Sequence, residues 1–332
     1  MSIEKFGYAL PGIKQSAAHI AEATGADETF VAEKVGLKTR YILGDQESGI
    51  SLSIRACEDL FEKAPDLRDR VELLVCVTQN PDRKLPQNSA GIAAGLGLPN
   101  NIASFDISLG CSGYVYALSI VEGFLATTGL KNAVLVTADP YSRIMASEDR
   151  DTNAIFGDAA TATWIRAGEG RSTVLARDFG TDGAGGDAIE VPAGGALRPH
   201  VNLTMGHDDV TTWSREEERL HMRGRAVFNF VMQRVPASID ACLEQAGLAR
   251  GDIDWYALHQ GSLYMLDALA KRAQLPGEKV LKNMQKYGNT VSSTIPLLLA
   301  ELDENAKLGD ATVLLSGFGV GLSWATVILK FE

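Results

Sequence analysis

One order of elements is written twice along this 332-residue chain, and that repetition limits the fold more than any single motif. In the first half "VELLVCVTQ" (71–79) reads as a buried strand. A short helix follows from about Pro86, then the strand "ASFDISLG", a helix from Ser112, and the strands "NAVLVTAD" and "ATATWIRA". In the second half "IDWYALHQ" (253–260) is the strand and "SLYMLDALAKRA" its helix. "KVLKNMQKYGN" leads into a helix from about Thr290, with Pro296 near its first turns, and "ATVLLSGFG" and "LSWATVILKF" close the unit. Cys111 and Val134 are 23 residues apart, and so are Asn289 and Thr312. Strands alternating with helices imply an α/β fold, and equal spacing of like elements implies a duplicated unit with two-fold pseudo-symmetry. The expected division is 1–170 for the first half and 171–332 for the second.

Between the halves, "FGTDGAGGDAIEVPAGGALRPHVN" (179–202) is rich in Gly and Pro and reads as a surface excursion, a flap or part of an entrance. The helix predicted from Gly224 to Gly247 contains Pro236, where a kink is expected.

The apolar runs are strand-sized, so a membrane span is not expected. The start "MSIEKFGYALPG" lacks the basic and apolar regions of a signal peptide, and four scattered cysteines suggest a reducing compartment, so the chain reads as cytoplasmic. A formal net charge of −11 argues against a nucleic-acid partner, which needs a basic face.

Cys57, Cys76 and Cys242 fall on helical or strand segments as small core hydrophobes. Cys111 differs, because "GCSG" permits a tight strand-to-helix turn. A thiol there faces free N–H groups and the positive end of the helix dipole, which favour thiolate. A thiolate nucleophile works with an imidazole and a hydrogen-bond donor. His259 ends a strand at the position matching Thr78 in the repeat, and Asn289 precedes a helix at the position matching Cys111. The pseudo-two-fold therefore predicts Cys111 and Asn289 at facing helix ends with His259 beside them.

His19, His200, His207 and His221 show no metal-ligand spacing with the cysteines, so no metal is expected. The "GFGVG" run (317–321) precedes a strand rather than a helix, which makes it a poor dinucleotide fingerprint but a source of backbone N–H groups for an oxyanion.

Across essentially its whole length the chain resembles the 3-oxoacyl-ACP synthase III family of the thiolase superfamily. The likeness rests on "FDISLGCSGYVYAL", "EDRDTNAIFGDAA", "MRGRAVF", "LHQGS", "YGNTVSSTIP" and "GFGVGLSW" in this order. It implies a thiolase-like fold, two similar α/β halves in five αβαβα layers, and a homodimer. It implies Cys111, His259 and Asn289 as the catalytic set, with the backbone N–H groups of Cys111 and Val320 holding an oxyanion. The implied reaction moves an acyl group from acyl-CoA to Cys111, then condenses it with a malonyl unit on an acyl carrier protein or on CoA, with no permanently bound cofactor.

The same resemblance places CoA against Phe30, Lys34, Arg150 and Ser262, pocket walls at Leu85, Phe156 and Gly261, and a carrier surface at Arg223, Arg225, Lys271 and Arg272. Phe30 replaces a tryptophan common in the family and Lys34 an arginine. "HQGS" replaces "HQAN", so Ser262 stands for an asparagine, and Tyr264 stands where a basic residue is common. The first two replacements keep the chemical type of the CoA contacts, whereas the last two concern the acceptor and point to a specialised or accessory pathway, in fatty-acid-like or polyketide-type metabolism. An acyltransferase passing its acyl group to oxygen or nitrogen is the competing enzyme reading, and an inactive partner subunit the non-enzymatic one.

Overall fold

The computed structural model describes residues 1–199 and 215–332. His200, His207 and the end of the 179–202 segment lie outside the described residues. The first half contains β1 (Ser2–Ala9), β2 (Ile13–Ser16), α1 (Ala17–Thr24), β3 (Thr39–Ile42), α2 (Gly49–Lys63) and β4 (Leu73–Val77). It continues with α3 (Asn88–Gly95), β5 (Ala103–Ile107), α4 (Gly113–Thr128), β6 (Asn132–Ala138), α5 (Arg150–Asn153) and β7 (Ala160–Arg166). Then come β8 (Ser172–Thr181), β9 (Ile189–Glu190), β10 (His221–Met222), α6 (Gly224–Ala246), β11 (Trp255–Leu258) and α7 (Leu263–Arg272). The chain closes with α8 (Met284–Tyr287), α9 (Thr294–Glu304), β12 (Thr312–Gly319) and β13 (Ser323–Phe331).

The strands build two large sheets, ordered β1-β7-β6-β4-β5 and β8-β13-β12-β11. The two sheets follow one plan. In the first, β4 runs parallel to β6, β7 antiparallel to β6, and β1 antiparallel to β7. In the second, β11 runs parallel to β12, β13 antiparallel to β12, and β8 antiparallel to β13. The counterpart of β5 has shrunk to a single parallel bridge between Val280 and Tyr256.

Side-chain alternation along these strands sets the layers, because successive residues face opposite sides of a sheet. Leu74, Cys76, Val134 and Val136 face outward onto α2 and α3, while Leu73, Val75, Val77 and Leu135 face inward. Inward-facing Val313, Leu315, Val327 and Leu329 of the second sheet share that central core with α4 and α9. Leu314, Phe318 and Ile328 face the other way, onto α6 and α7. The result is the αβαβα sandwich, with α4 and α9 as the middle layer. Both faces of each sheet are covered, which is why its strands read as nearly continuous apolar runs.

Several boundaries differ from the sequence reading. The first predicted strand, 71–79, is limited to Leu73–Val77; the backbone of Thr78 still bonds Ile107, but Gln79 turns to the Asp139 carboxylate. The helix expected from Thr290 begins at Thr294, because Val291 takes a left-handed φ of 55° and a 3-10 turn, Val291–Ser293, comes first. α6 runs through Pro236 without ending there. The 179–202 segment is not wholly a surface excursion. Residues 179–181 belong to β8, and Ala188 and Ile189 are buried in the core around α6.

Candidate active site

The ends of β11 and β12, the turn before α4 and the first residues of α6 and α7 meet around one cavity. Cys111 lies just before α4, whose N-cap is Ser112. Gly317 and Gly319 of β12 pass so close to this turn that side chains would not fit. A Cβ at Gly317 would lie 2.7 Å from the Cys111 carbonyl oxygen, and one at Gly319 would lie 2.8 Å from the Cys111 sulfur. This close approach explains the first two glycines of "GFGVG". It also brings Val320 alongside, so that the backbone N–H groups of Val320 and of Cys111 itself both point at the sulfur.

Cys111 is buried, and burial pushes its thiol up to about 12, the nearby Asp139 carboxylate adding to the effect while the two N–H groups pull it back. The thiolate expected from the helix dipole is therefore not the resting form. Desolvation of the sulfur outweighs the dipole and the two donors.

His259 follows β11 and is also buried; its backbone N–H donates to Ser316 at 2.9 Å, as that of Thr78 donates to Ile107 at 3.1 Å in the first half. Burial lowers its pKa to about 3, with the Val291 carbonyl acting the other way, so the ring is neutral near pH 7. Nδ1 lies 2.8 Å from Thr294 Oγ1, which leaves Nε2 for the cavity. The Thr294 hydroxyl is also 3.0 Å from the Val291 carbonyl oxygen. It has one hydrogen for two acceptors, so the His259 tautomer follows where that hydrogen goes.

Asn289 is held by the left-handed turn at Val291. The Val291 N–H donates to Asn289 Oδ1 at 2.9 Å, and no hydrogen bond from Nδ2 is made among the described residues. A β-branched residue with positive φ is an outlier that surrounding structure must enforce. Here the enforcing bonds come from Asn289, Thr294 and, through Ser292, the buried Asp139.

Cys111, His259 and Asn289 line one cavity of about 400 Å³, together with Gly319 and Val320. Tyr141, Phe156, Ile189 and Phe318 give it apolar walls, and Gly261 and Ser262 also line it. A Cβ at Gly261 would come 3.0 Å from Met265 Sδ, so the glycine of "HQGS" makes room for that side chain. Ser262 has a structural task as well: its side chain accepts from the Met265 N–H at 3.1 Å and caps α7. At the rim, Tyr264 is 60% exposed and stacks on Phe228, centroids 5.6 Å apart.

A second cavity of about 300 Å³ adjoins the first through Ile155, Met222, Gly224 and Arg225, which line both. Phe30 and Arg150 form its far wall, the guanidinium 4.5 Å from the ring centroid. Lys34 shares a helical turn with Phe30 but is exposed and lines neither cavity. Of the basic residues expected at a carrier surface, Arg225 reaches both cavities, Arg223 pairs with Asp187, and Lys271 and Arg272 are exposed at the end of α7.

Leu85 does not line the pocket of its own chain and is 84% exposed. It precedes a turn fixed by Asp106 of β5, whose carboxylate accepts the Asn88 and Ser89 N–H groups at 2.6 and 2.9 Å. Among the described residues there is no cluster of His, Cys, Asp or Glu that could hold a metal ion, and no helix long and apolar enough to cross a membrane.

Comparison with known proteins follows this geometry. Residues 105–183 match the model of 3-oxoacyl-[acyl-carrier-protein (ACP)] synthase III, and residues 243–331 match its C-terminal model. The beta-ketoacyl-[acyl-carrier-protein] synthase III 2 of Deinococcus radiodurans is 35% identical over 317 residues, covering 95% of this chain and 89% of the relative. The chain belongs to the 3-oxoacyl-ACP synthase III family. A crystal structure of a 3-oxoacyl-(acyl-carrier-protein) synthase III superposes with a TM-score of 0.91 at 34% identity, covering 99% of both chains. The priming beta-ketosynthase of the R1128 polyketide pathway superposes with a TM-score of 0.87 at 25% identity, covering 99% of this chain and 95% of that one. As a synthase III family member the protein is a condensing acyltransferase of thiolase-like fold.

Sequence reasoning missed Asp139, Tyr141, Ile189, Met222, Val291 and Thr294. The first two follow β6 directly, and a strand end that reads "ADPY", with β4 between it and the strand that leads to Cys111, is a signal that the repeat offers. Ile189 and Met222 lie on the short strands β9 and β10, and Val291 and Thr294 at the turn into α9, and none carries a local motif that marks it as part of the site.

Proposed function

We propose that Cys111 takes an acyl group from acyl-CoA and that the enzyme condenses it with a malonyl thioester. The supporting observation is that one cavity joins a sulfur under two backbone N–H groups to an imidazole nitrogen and an amide donor. In the first step the Cys111 sulfur attacks the thioester carbonyl. The Cys111 and Val320 N–H groups stabilise the oxyanion, the carbon–sulfur bond to CoA breaks, and CoA leaves with the proton. In the second step the malonyl carboxylate leaves as carbon dioxide, and the enolate oxygen is held by His259 Nε2 and Asn289 Nδ2. The enolate carbon attacks the acyl carbonyl, the carbon–sulfur bond to Cys111 breaks as the 3-oxoacyl thioester forms, and the released thiolate takes up a proton from water.

The adjoining cavity suits CoA. Its walls of Phe30 and Arg150 would grip a flat base, and Arg225 stands between the two cavities, where a pantetheine arm would pass. The acceptor surface is weaker in charge than the family commonly has, with Tyr264 at the rim, so a dedicated carrier or malonyl-CoA is the preferred second substrate. The edge strand β5 supports a homodimer. Its residues Ala103, Phe105 and Ile107 are half-buried on an unpaired edge, beside the exposed Leu85.

The test is intact-mass measurement after incubation with acyl-CoAs, followed by malonyl-carrier or malonyl-CoA over a salt series. One acyl group per chain is expected, lost on adding the malonyl thioester, and absent from a Cys111→Ala variant. Acylation that survives in Cys111→Ala overturns the assignment. Turnover with the housekeeping carrier that falls steeply with salt shows instead an ordinary charge-steered acceptor mode.

A further inference from the structure

The buried tyrosines of this protein satisfy their hydroxyls, with one exception. Tyr114 reaches Thr163 Oγ1 at 3.3 Å, Tyr256 donates to the Arg250 carbonyl at 2.8 Å, and Tyr287 donates to Glu301 at 3.1 Å. Tyr141, 3% exposed, has no hydrogen bond from its hydroxyl among the described residues. The hydroxyl is not sealed in protein either, as the unpartnered hydroxyls of Ser53 and Ser89 are. Tyr141 is one of the residues that line the cavity of Cys111.

The ring is fixed in place. Its backbone N–H donates to the Asp139 carbonyl at 2.8 Å, and the ring packs at a tilt against Phe156, centroids 5.1 Å apart. Burial, with the nearby Asp139 carboxylate adding to it, holds the phenol pKa well above its ordinary value, so the group remains an O–H donor. Phe156, against which the ring packs, lines the same cavity, as do the apolar Ile189 and Phe318. Apolar side chains of this kind hold a carbon chain, and a donor set beside them selects among chains.

Resting on the acylation of Cys111 proposed above, we propose that the preferred acyl group carries an oxygen on its chain, as a short hydroxy- or oxo-acyl thioester does, and that the Tyr141 hydroxyl is the residue that selects it. An alkyl chain filling the same space would shut the hydroxyl away without a partner. Leaving a buried donor unpaired costs more than a hydrogen bond gains, and sites built around a substrate oxygen reject analogues lacking it. The chemistry of transfer is unchanged: the thioester carbon–sulfur bond to CoA breaks, the bond to Cys111 forms, and the thiol proton leaves with CoA.

The test compares 3-hydroxybutyryl-CoA with 3-methylbutyryl-CoA, which differ by one hydroxyl for one methyl. Acylation rates at Cys111 are read by intact mass at low thioester concentration. The wild-type protein is expected to favour the hydroxy chain by about ten-fold or more. Tyr141→Phe is expected to bring the ratio near one, chiefly by losing rate with the hydroxy chain. Because each ratio is measured on one preparation, it does not depend on the fraction folded, and Tyr141→Leu serves as a second variant. Equal rates in the wild type, or an unchanged ratio in both variants, overturn the proposal and leave Tyr141 as a limit on chain length only. Failure of every acyl-CoA to label Cys111 is a different result, which overturns the acylation reading itself.

Discussion

Asp139 and Ser292 join the two halves of the molecule across the pseudo-two-fold: the Ser292 hydroxyl donates to Asp139 Oδ2 at 2.5 Å. The other oxygen of the same carboxylate accepts from the Gln79 N–H at 2.7 Å and from Thr78 at 3.3 Å. One carboxylate thus ties the ends of β4 and β6 to the turn that carries Asn289 and Val291. That link predicts a pH effect. Burial raises the Asp139 pKa to about 6 from 3.8, against the opposing bonds from Ser292 and Gln79. The folded state then holds this proton more tightly than the unfolded chain, so its contribution to stability is full below about pH 4 and declines as pH rises to about 6. Asp139→Asn is expected to remove this component, seen as the difference between wild-type and variant stability over that interval. The variant is also expected to lose about 1–3 kcal/mol overall, because an amide cannot accept at both positions. A difference curve flat from pH 4 to pH 6 would disprove the assignment.

The two half-reactions are expected to separate by mutation. Asn289→Ala removes the amide donor assigned to the enolate but none of the groups around the Cys111 sulfur. Condensation should fall by about a hundred-fold or more while self-acylation largely persists, as for loss of one oxyanion donor. His259→Ala should likewise lose more condensation than acylation. Single-turnover intact-mass kinetics resolve the two steps, and parental condensation rates in both variants would rule these roles out.

Gly319→Ala tests the close approach of β12 to the nucleophile. A methyl there would stand 2.8 Å from the Cys111 sulfur and Cβ, so the sulfur or the strand must move. We expect a folded protein destabilised by roughly 1–3 kcal/mol, with acylation reduced far more than stability. Thermal unfolding together with the acylation rate measures both. Parental acylation in a folded variant would show that the contact is dispensable.

Leu85→Asp tests the proposed dimer edge. The side chain is 84% exposed, so the change should leave the fold of one chain intact. It places a charge beside the unpaired β5 edge and is expected to shift the species from dimer to monomer in light scattering, with loss of activity that dilution of the wild type reproduces. A variant of parental mass and activity would remove Leu85 from the interface.

Sequence alone determined the doubled α/β plan, because buried strands in covered sheets must be continuous apolar runs and their spacing survives duplication. It also determined Cys111, His259 and Asn289 as candidates, since the order and spacing of the elements bring them to corresponding loops, although the helix after Asn289 starts four residues later than its pattern predicts. Tertiary structure decided what those groups are chemically. The Cys111 thiol stands near 12 and His259 near 3 because both are desolvated, and burial is a sum over distant chain segments that no local stretch encodes. The left-handed turn at Val291 and the Asp139 bond to Ser292 have the same origin. They join residues 153 positions apart, and a β-branched residue takes positive φ only where the surrounding packing and hydrogen bonds hold it there.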